Sequence, residues 1–585
     1  MAHYVEQANL AAAFFATCEE APDALLFFDK RDGSWQGRTR GDIAEMVGRM
    51  AAALDSLGVK PGDRVCIASE NRTEWAAADL AIMALGAIAV PAYTTNTEDD
   101  HRYILEHSGS VAAFVSGGQI AERVLLAASH CPAVKNLIVM DADFQPHSQS
   151  RITVHYLEKL LAEHPVLADL PDRIAAQDSD DTCCFIYTSG TGGRPKGVML
   201  THRSIQANIK AAVELLEEGN ACEKARFLSL LPLSHSYEHT AGLHLPVQIG
   251  AEVWYCEGSE HIASNLVEVQ PTLMTAVPRL YEVLHDRITR GVRAKGGLSE
   301  KLFNAAARIG AAKVQGQPVS LTDRLLDPLL DRLVRKKVRS RLGGKLKYFV
   351  SGGAALNPEI GFFFLGLGVD ILQGYGQTEA SPLISANRPG HIRIETVGPK
   401  VGGVEVKLSE EGELLARGDL LMKGYWKDER TTAATIRDGW LHTGDVAVIH
   451  EDGFIEITGR IKDIIVNSGG DNIAPGRVEA ILAIEPEIEQ VMVDGDKRPW
   501  LAAIIVPAED VRALPEAEQK KIVGAAVERA NSRLSQIEKV RRFVLADPPF
   551  STENGQMTPT LKVKRHVVGE LYAKQLDSLY KKSRS

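Results

Sequence analysis

No apolar run in this sequence is long enough to span a bilayer. The longest, Leu80–Tyr93, has 14 residues, follows Asp79 and contains Pro91, whereas a spanning helix needs about 20; it reads as a buried helix running into a strand. An export signal is lacking too, because Glu6 stands where such a signal is positive and the apolar part of MAHYVEQANLAAAFF is too short to insert. The seven cysteines are odd in number, lie in the first half and form no CxxC pair, which reads as reduced thiols and a cytoplasmic location. Positive charge is not in excess: 66 Lys and Arg face 76 Asp and Glu, a net charge of −10, which argues against a dedicated nucleic-acid binder. No repeat of fixed period is present, so a solenoid is not expected.

What is present is globular material. The 585 residues are 45% apolar and 24% charged, enough for a sizeable core and too long for a single small binding module. Short β-branched runs alternate with helix-period stretches from Arg64 to about Val404: Arg64–Ala68, Ile88–Ala92, Ala112–Val115, Asn136–Val139, Cys183–Tyr187, Phe227–Leu231, Glu252–Tyr255, Leu273–Ala276 and Tyr348–Ser351. Such alternation predicts an α/β fold with a mostly parallel sheet, whose ligands collect at the carboxyl ends of the strands. After Gly398, VGGVEVKLSEEGELLARG and AVIHEDGFIEITG carry hairpin turns and predict a β-rich part. From Arg460 onward, runs such as Val491–Asp494, Ala502–Pro507 and Arg542–Leu545 alternate with helices over Gly476–Ala483 and Lys520–Arg533, which predicts a separate α+β unit.

One segment stands apart in charge. Between Asp286 and Lys347 there are 16 Lys or Arg and five acidic residues, and the leucines of LTDRLLDPLLDRLVRKKVRSRL have helical spacing interrupted by Pro328. Two readings stand: a solvated basic helix that covers the core with its leucines, or attraction to an anionic membrane surface or acidic ligand.

The chemistry begins at CCFIYTSGTGGRPKGVMLTHRS, Cys183 to Ser204. A buried strand runs into a loop of glycines and hydroxyls, with one lysine and then a helix. Glycine lets backbone N–H groups turn toward an anion and hydroxyls add donors, so the loop reads as a phosphate cradle. Pro195 precedes Lys196 and no GK[ST] follows, so it is not a Walker A loop. His235, Glu238 and His239 spell the inverted zinc pattern HxxEH, but Pro232 and the preceding strand put His235 in a loop, where that motif needs a regular helix.

This loop resembles the phosphate loop of the adenylate-forming superfamily, which includes acyl-CoA synthetases, firefly-luciferase-like enzymes and peptide-synthetase adenylation domains. Its usual form is TSGTTGxPKG; here it reads Thr188, Ser189, Gly190, Thr191, Gly192, Gly193, Arg194, Pro195, Lys196 and Gly197, with Gly192 in place of the second threonine. Five further motifs follow in order. LPLSHSYEHTAG resembles the entrance of the acyl pocket, where His235 would lie beside the substrate carboxylate. YFVSGGAALNPE resembles the adenine wall, with Gly352, Gly353 and Ala354 allowing close approach. In QGYGQTEAS, with Gly374 and Gly376, the resemblance implies that Gln373 meets the adenine amino group, Tyr375 stacks on the ring, Thr378 binds phosphate and Glu379 holds Mg²⁺.

WLHTGDVAVIHEDGFIEITGRIKDIIVNSGGDNIAP resembles the ribose and hinge motifs. It implies Asp445 and Arg460 at the ribose, Lys462 at the hinge and Gly469 on the pantetheine tunnel. By itself Glu379 reads as a surface carboxylate and Asp445 as a turn residue; the company they keep decides. ENGQMTPTLKVKRHVV resembles the last motif and places Lys562 on its catalytic lysine, with Leu561 in place of the usual glycine and Lys564 as the rival.

The wording is most like long-chain fatty acyl-CoA synthetases, and the resemblance runs from about Val65 to His566. It implies an N-terminal domain over 1–459, built of two doubly wound α/β lobes and a β-barrel, with a small mobile C-terminal domain over 460–585. It implies a fatty acid, ATP with Mg²⁺, and coenzyme A as the reacting partners. Lys562, His235, Thr188, Lys196 and Glu379 would carry the chemistry. The alternatives are a related ligase with another acid or acceptor, or a non-catalytic protein recruited to membranes. An oligomer is compatible with the sequence.

Overall fold

The computed structural model describes Tyr4 and residues 6–147, 150–188, 194–558 and 562–581. Two eight-stranded sheets dominate it. One runs in the order Thr153–Tyr156, Asn136–Val139, Ser110–Val115, Arg64–Ala68, Ile88–Pro91, Thr182–Thr188, Lys196–Thr201, Gly424–Tyr425. Its first six strands are parallel and its last two antiparallel. The other runs Leu383–Ala386, Asp370–Gly376, Tyr348–Ser351, Leu273–Ala276, Arg226–Ser229, Glu252–Tyr255, Leu25–Arg31, Ser34–Thr39, parallel except at its two edges. Both are doubly wound, as strands buried on two faces by helices must be.

The helix Thr73–Ala84 is buried at every position, Trp75 and Met83 included, its two carboxylates paired, Glu74 with Arg31 and Arg72 and Asp79 with His239. It leads into Ile88–Pro91, the buried helix-to-strand passage expected of Leu80–Tyr93. Neighbouring helices are fixed at their starts by reciprocal capping boxes, Thr39 with Asp42, Thr97 with Asp100 and Thr201 with Ser204, which satisfy amides that the helix leaves free.

After Gly398 the strands Glu405–Leu408, Glu413–Arg417, Ile436–Arg437, Trp440–Ile449 and Ile455–Arg460 form an antiparallel sheet. Where a barrel is expected, its ladder stays open, because Glu405–Leu408 and Ile436–Arg437 are its two ends and do not pair. The last part carries a hairpin, Ile465–Val466 with Asn472–Ile473, and a three-stranded sheet of Ile488–Asp494, Leu501–Pro507 and Val540–Leu545, with its own apolar core. It touches the larger part where the Asn357 amide donates to the Ala480 carbonyl at 2.7 Å and Arg533 pairs with Glu359.

Pro328 does not interrupt its helix. Leu321–Leu330 runs through it, a π-turn covers Asp331–Arg335, and Lys336–Arg341 continues. Packing overrides the proline here: Leu330, Val334 and Val338 are held over Phe303 and Ile309 in a satellite core, while the carbonyl that Pro328 leaves unbonded belongs to exposed Arg324, within reach of water. Among the described residues, no helix is long and apolar enough to cross a membrane. All seven cysteines are free, six of them buried and Cys256 half-buried.

Candidate active site

The carboxyl ends of the second sheet's strands converge on one cleft. Tyr348–Ser351 ends at Gly352 and Gly353, the latter at φ +81°. A Cβ at Gly352 would lie 3.2 Å from the Tyr237 ring, which is pinned there by its hydroxyl donating to the Val350 carbonyl at 2.8 Å. Ala354 is exposed beside them. Asp370–Gly376 carries Gly374, Tyr375 and Gly376; at Gly376 a Cβ would fall 1.7 Å from the Pro382 carbonyl oxygen, so only glycine fits. The short turn Thr378–Ala380 then presents Thr378, whose hydroxyl meets that of Ser236 at 3.0 Å, and Glu379.

The charged end of the cleft is built from both sheets. Thr188 pairs with Lys196 on adjacent antiparallel strands, so the phosphate loop joins two strands, and the helix expected after Lys196 starts at His202. The inter-strand hydrogen bonds of Lys196–Thr201 account for the difference. Ser189, Gly190, Thr191, Gly192 and Gly193 lie outside the described residues. The Tyr425 hydroxyl donates to Glu379 Oε1 at 2.7 Å, and Lys196 Nζ stands 4.9 Å from the centre of the same ring. Tyr425 therefore joins the loop's lysine to the carboxylate. Glu379 keeps Oε2 for a hard cation, the type of donor magnesium takes.

Asp445 and Arg460 face each other in register on adjacent strands, 3.1 Å apart, and the Tyr375 hydroxyl donates to Asp445 Oδ2 at 2.6 Å. Burial pushes the Asp445 carboxyl up, against the opposing pull of Arg460, Tyr375 and Lys562. Lys562 keeps a solvent-exposed flank, yet protein crowds its ammonium; that desolvation, then repulsion from Arg460, pushes it down, while Asp445 holds it up. Burial and next Lys562 push His235 down to about 4, so its imidazole is neutral at pH 7. His235 Nδ1 accepts from the Tyr237 amide at 3.2 Å. Residues from four separate motifs thus share one field. Lys562 is the ammonium that His235 and Asp445 feel; Lys564 opens the following helix, its amide donating to the Gln556 carbonyl at 2.8 Å.

Gln373 is braced in the cleft wall: its carboxamide oxygen accepts from the Leu356 amide at 3.0 Å and its nitrogen donates to the Thr396 carbonyl at 3.1 Å, which leaves the oxygen a second lone pair. Lys462 and Gly469 are exposed, Gly469 at the tip of the small hairpin with its amide on Asn467 Oδ1. HxxEH does not converge. His239 points to Asp79 at 3.1 Å, and Glu238 accepts from Ser229 and Thr275, both at 2.6 Å.

Sequence reasoning missed Tyr425, Tyr237 and Ser236, which hold the expected residues in place. Their motifs could have drawn attention, since Ser236 and Tyr237 lie inside LPLSHSYEHTAG, but the partners they meet are 113 to 142 residues away in sequence or on another sheet. It also missed a fully buried cluster of Asp79 with His239 and His244, the latter 3.2 Å from Asp79 Oδ2. Burial alone would raise Asp79, but the two imidazoles hold its carboxyl well below the usual range.

Doubly wound sheets whose strand ends gather glycine turns, a hairpin bearing Thr188 and Lys196, and a carboxylate braced against an arginine suit a nucleotide-binding α/β enzyme. The chain belongs to the AMP-binding enzyme family, whose pattern matches residues 14–426, with the AMP-binding enzyme C-terminal domain over 462–584. It is 34% identical to the long-chain-fatty-acid–CoA ligase FadD15 of Mycobacterium tuberculosis over 99% of this chain and 98% of that one. It is 30% identical to the peroxisomal long chain acyl-CoA synthetase 6 of Arabidopsis thaliana, over 94% and 82%. In fold it is similar to the A domain of carboxylic acid reductase from Segniliparus rugosus in complex with AMP and a carboxylic acid, with TM-score 0.78, 22% identity and 99% and 95% coverage.

Proposed function

We propose that this enzyme activates a long-chain fatty acid with ATP and passes the acyl group to coenzyme A. A fatty carboxylate attacks the α-phosphorus of ATP, giving acyl-AMP and pyrophosphate; the CoA thiol then attacks the acyl carbonyl, giving acyl-CoA and releasing AMP. The observation that carries the reading is the convergence of His235, Asp445, Arg460 and Lys562 on one cleft, together with full-length similarity to ligases of that name.

Two anions must meet in the first step, so catalysis rests on neutralising charge. Lys562 stands as a point charge between carboxylate and α-phosphate. Thr188, Lys196 and the loop residues Ser189, Gly190, Thr191 and Gly193 cradle the outer phosphates. Gly352, Gly353, Ala354, Gly374 and Gly376 let the nucleotide lie close to the backbone, Tyr375 stacks on the adenine, Thr378 binds phosphate, and Asp445 with Arg460 holds the ribose. Neutral His235 offers the incoming carboxylate a polar edge without a competing charge. Glu379 would hold magnesium, which would supply further neutralisation of the phosphate charge. For the second step the small domain, from about Arg460, turns about Lys462, withdraws Lys562 and brings Gly469 to the pantetheine. A long-chain acid partitions into lipid, and peripheral contact with a membrane through 286–347 fits that supply.

The test is AMP and pyrophosphate release with MgATP over a series of fatty acids, with and without CoA. Turnover that needs CoA and rises to long chains is expected. Pyrophosphate release indifferent to CoA would assign another acceptor, and no release with any acid would overturn the reading.

A further inference from the structure

Asp79, His239 and His244 are fully buried, and one ligand atom from each lies within 4.8 Å of those of the other two. Asp79 belongs to the helix Thr73–Ala84, which leads into the first sheet; the histidines belong to the π-turn that follows the His235 loop of the second. Five residues span about 140° of an α-helix, so on such a helix these two histidines would point apart. The π-turn, bonded i to i+5, brings both rings to one side, their centres 4.7 Å apart and their planes at 78°.

Hydrogen bonding does not account for the cluster. His239 Nε2 lies 3.1 Å from both Asp79 oxygens, but His244 Nε2 stands 3.2 Å from Asp79 Oδ2 and out of line for a hydrogen bond. A ring nitrogen that close to a carboxylate without an aligned proton is repelled, unless a cation lies between them. His239 Nδ1, Trp75 Nε1 and both ends of the Gln248 carboxamide are buried too, and among the described residues they have no partner. Trp75 and Gln248 stand one helical turn from Asp79 and His244. Buried polar atoms are nearly always satisfied, and several unsatisfied at one place mark an ion or water that belongs with them.

We infer that Asp79, His239 and His244 bind a zinc ion, with water as the fourth ligand. The distances from Asp79 to the two imidazoles, 3.1 and 3.2 Å, match the edge of about 3.3 Å of a tetrahedron whose metal–ligand bonds are about 2.0 Å. Two nitrogen ligands exclude the hard cations magnesium and calcium, which take oxygen. Complete burial gives a substrate no approach, so the ion is structural. It staples the helix that feeds the first sheet to the turn that continues from His235, and so fixes the segment carrying that imidazole between the lobes.

The experiment is metal analysis by plasma mass spectrometry of the full-length protein, made without a polyhistidine tag in zinc-supplemented medium and dialysed against EDTA. About one zinc per chain is expected, as in a closed structural site. D79N and H244F should each lower the zinc content at least about tenfold, with far-ultraviolet circular dichroism showing that they fold. Wild-type protein grown with cobalt in place of zinc should carry the visible absorption of tetrahedral cobalt, a reading that needs no variant. A wild type free of zinc, or a cobalt-grown protein without that absorption, overturns the inference and leaves a proton between carboxylate and imidazole. So does zinc retained in full by both variants, which would place the ion elsewhere, or another metal in its stead. Because the readout is metal content, the outcome does not depend on which acid or acceptor the enzyme uses.

Discussion

Tyr425 stands between two charges that the reaction brings together, with its hydroxyl on Glu379 and Lys196 over its ring. Hydrogen bonds to a charged group contribute about 1.5–3 kcal/mol. Tyr425→Phe should therefore lower the rate of pyrophosphate release about tenfold or more, with the loss growing at low magnesium; steady-state rates over a magnesium titration check this, and an unchanged rate would show that Glu379 needs no positioning. Lys562→Ala should abolish acyl-AMP formation while sparing thioester formation from supplied acyl-AMP, and Lys564→Ala should do neither. Equal losses in the two half-reactions would remove Lys562 from the role. Tyr425 was not legible because a tyrosine in KGYW carries no signal of its own; its meaning comes from the pairing of Gly424–Tyr425 with the strand that begins at Lys196. Asp445 stood out only in the company of its motif, and the bracing of Gln373 by Leu356 and Thr396 was not legible because a carboxamide gives no hint of which backbone groups it meets.

The helix start Ser236–Glu238 and the π-turn His239–His244 drive polar side chains into the space between the two sheets. Burial pushes the Glu238 carboxyl up to about 7, although the Ser229 and Thr275 hydroxyls pull it down. The unfolded chain ionises this group near the ordinary value, so its protonated form favours the fold fully below about pH 4.5 and the advantage is lost as pH rises to about 7. Wild type should accordingly lose up to about 3 kcal/mol across that window relative to Glu238→Gln; urea unfolding at pH 4.5 and 8 checks the sign. Asp79→Ala would strand two buried imidazoles and should cost about 3–5 kcal/mol, read as a lowered urea midpoint at neutral pH. Most elements of the lobes were legible. Asn136–Val139, Glu252–Tyr255, Leu273–Ala276 and Tyr348–Ser351 have the expected bounds, because strands buried on both faces are short unbroken apolar runs. The π-turns were not, since they answer to packing and leave no period in the sequence.

Across the whole molecule the cleft draws on residues from Thr188 to Lys562, and the small domain contributes the lysine. Its contacts with the larger part include a hydrogen bond from the Asn357 amide to the Ala480 carbonyl and the ion pair of Arg533 with Glu359, which suits the proposed rotation. Lys462→Pro would fix the backbone angle at the proposed pivot. The variant should make acyl-AMP at near wild-type rate and fall at least tenfold in CoA-dependent product; full activity would place the pivot elsewhere. The order of motifs revealed this arrangement, whereas the shape of an acyl tunnel depends on side chains far apart in sequence, where one methylene is worth only about 0.8 kcal/mol.

The free cysteines have a bearing on selectivity. An acyl phosphate anhydride reacts with any thiolate near it, its own protein's included. Burial pushes Cys18 and Cys66 up to about 12 and Cys222 and Cys256 up to about 11, so at neutral pH these sulfurs stay protonated and inert. These four thiols are thereby poor competitors for the thiol that the second substrate brings.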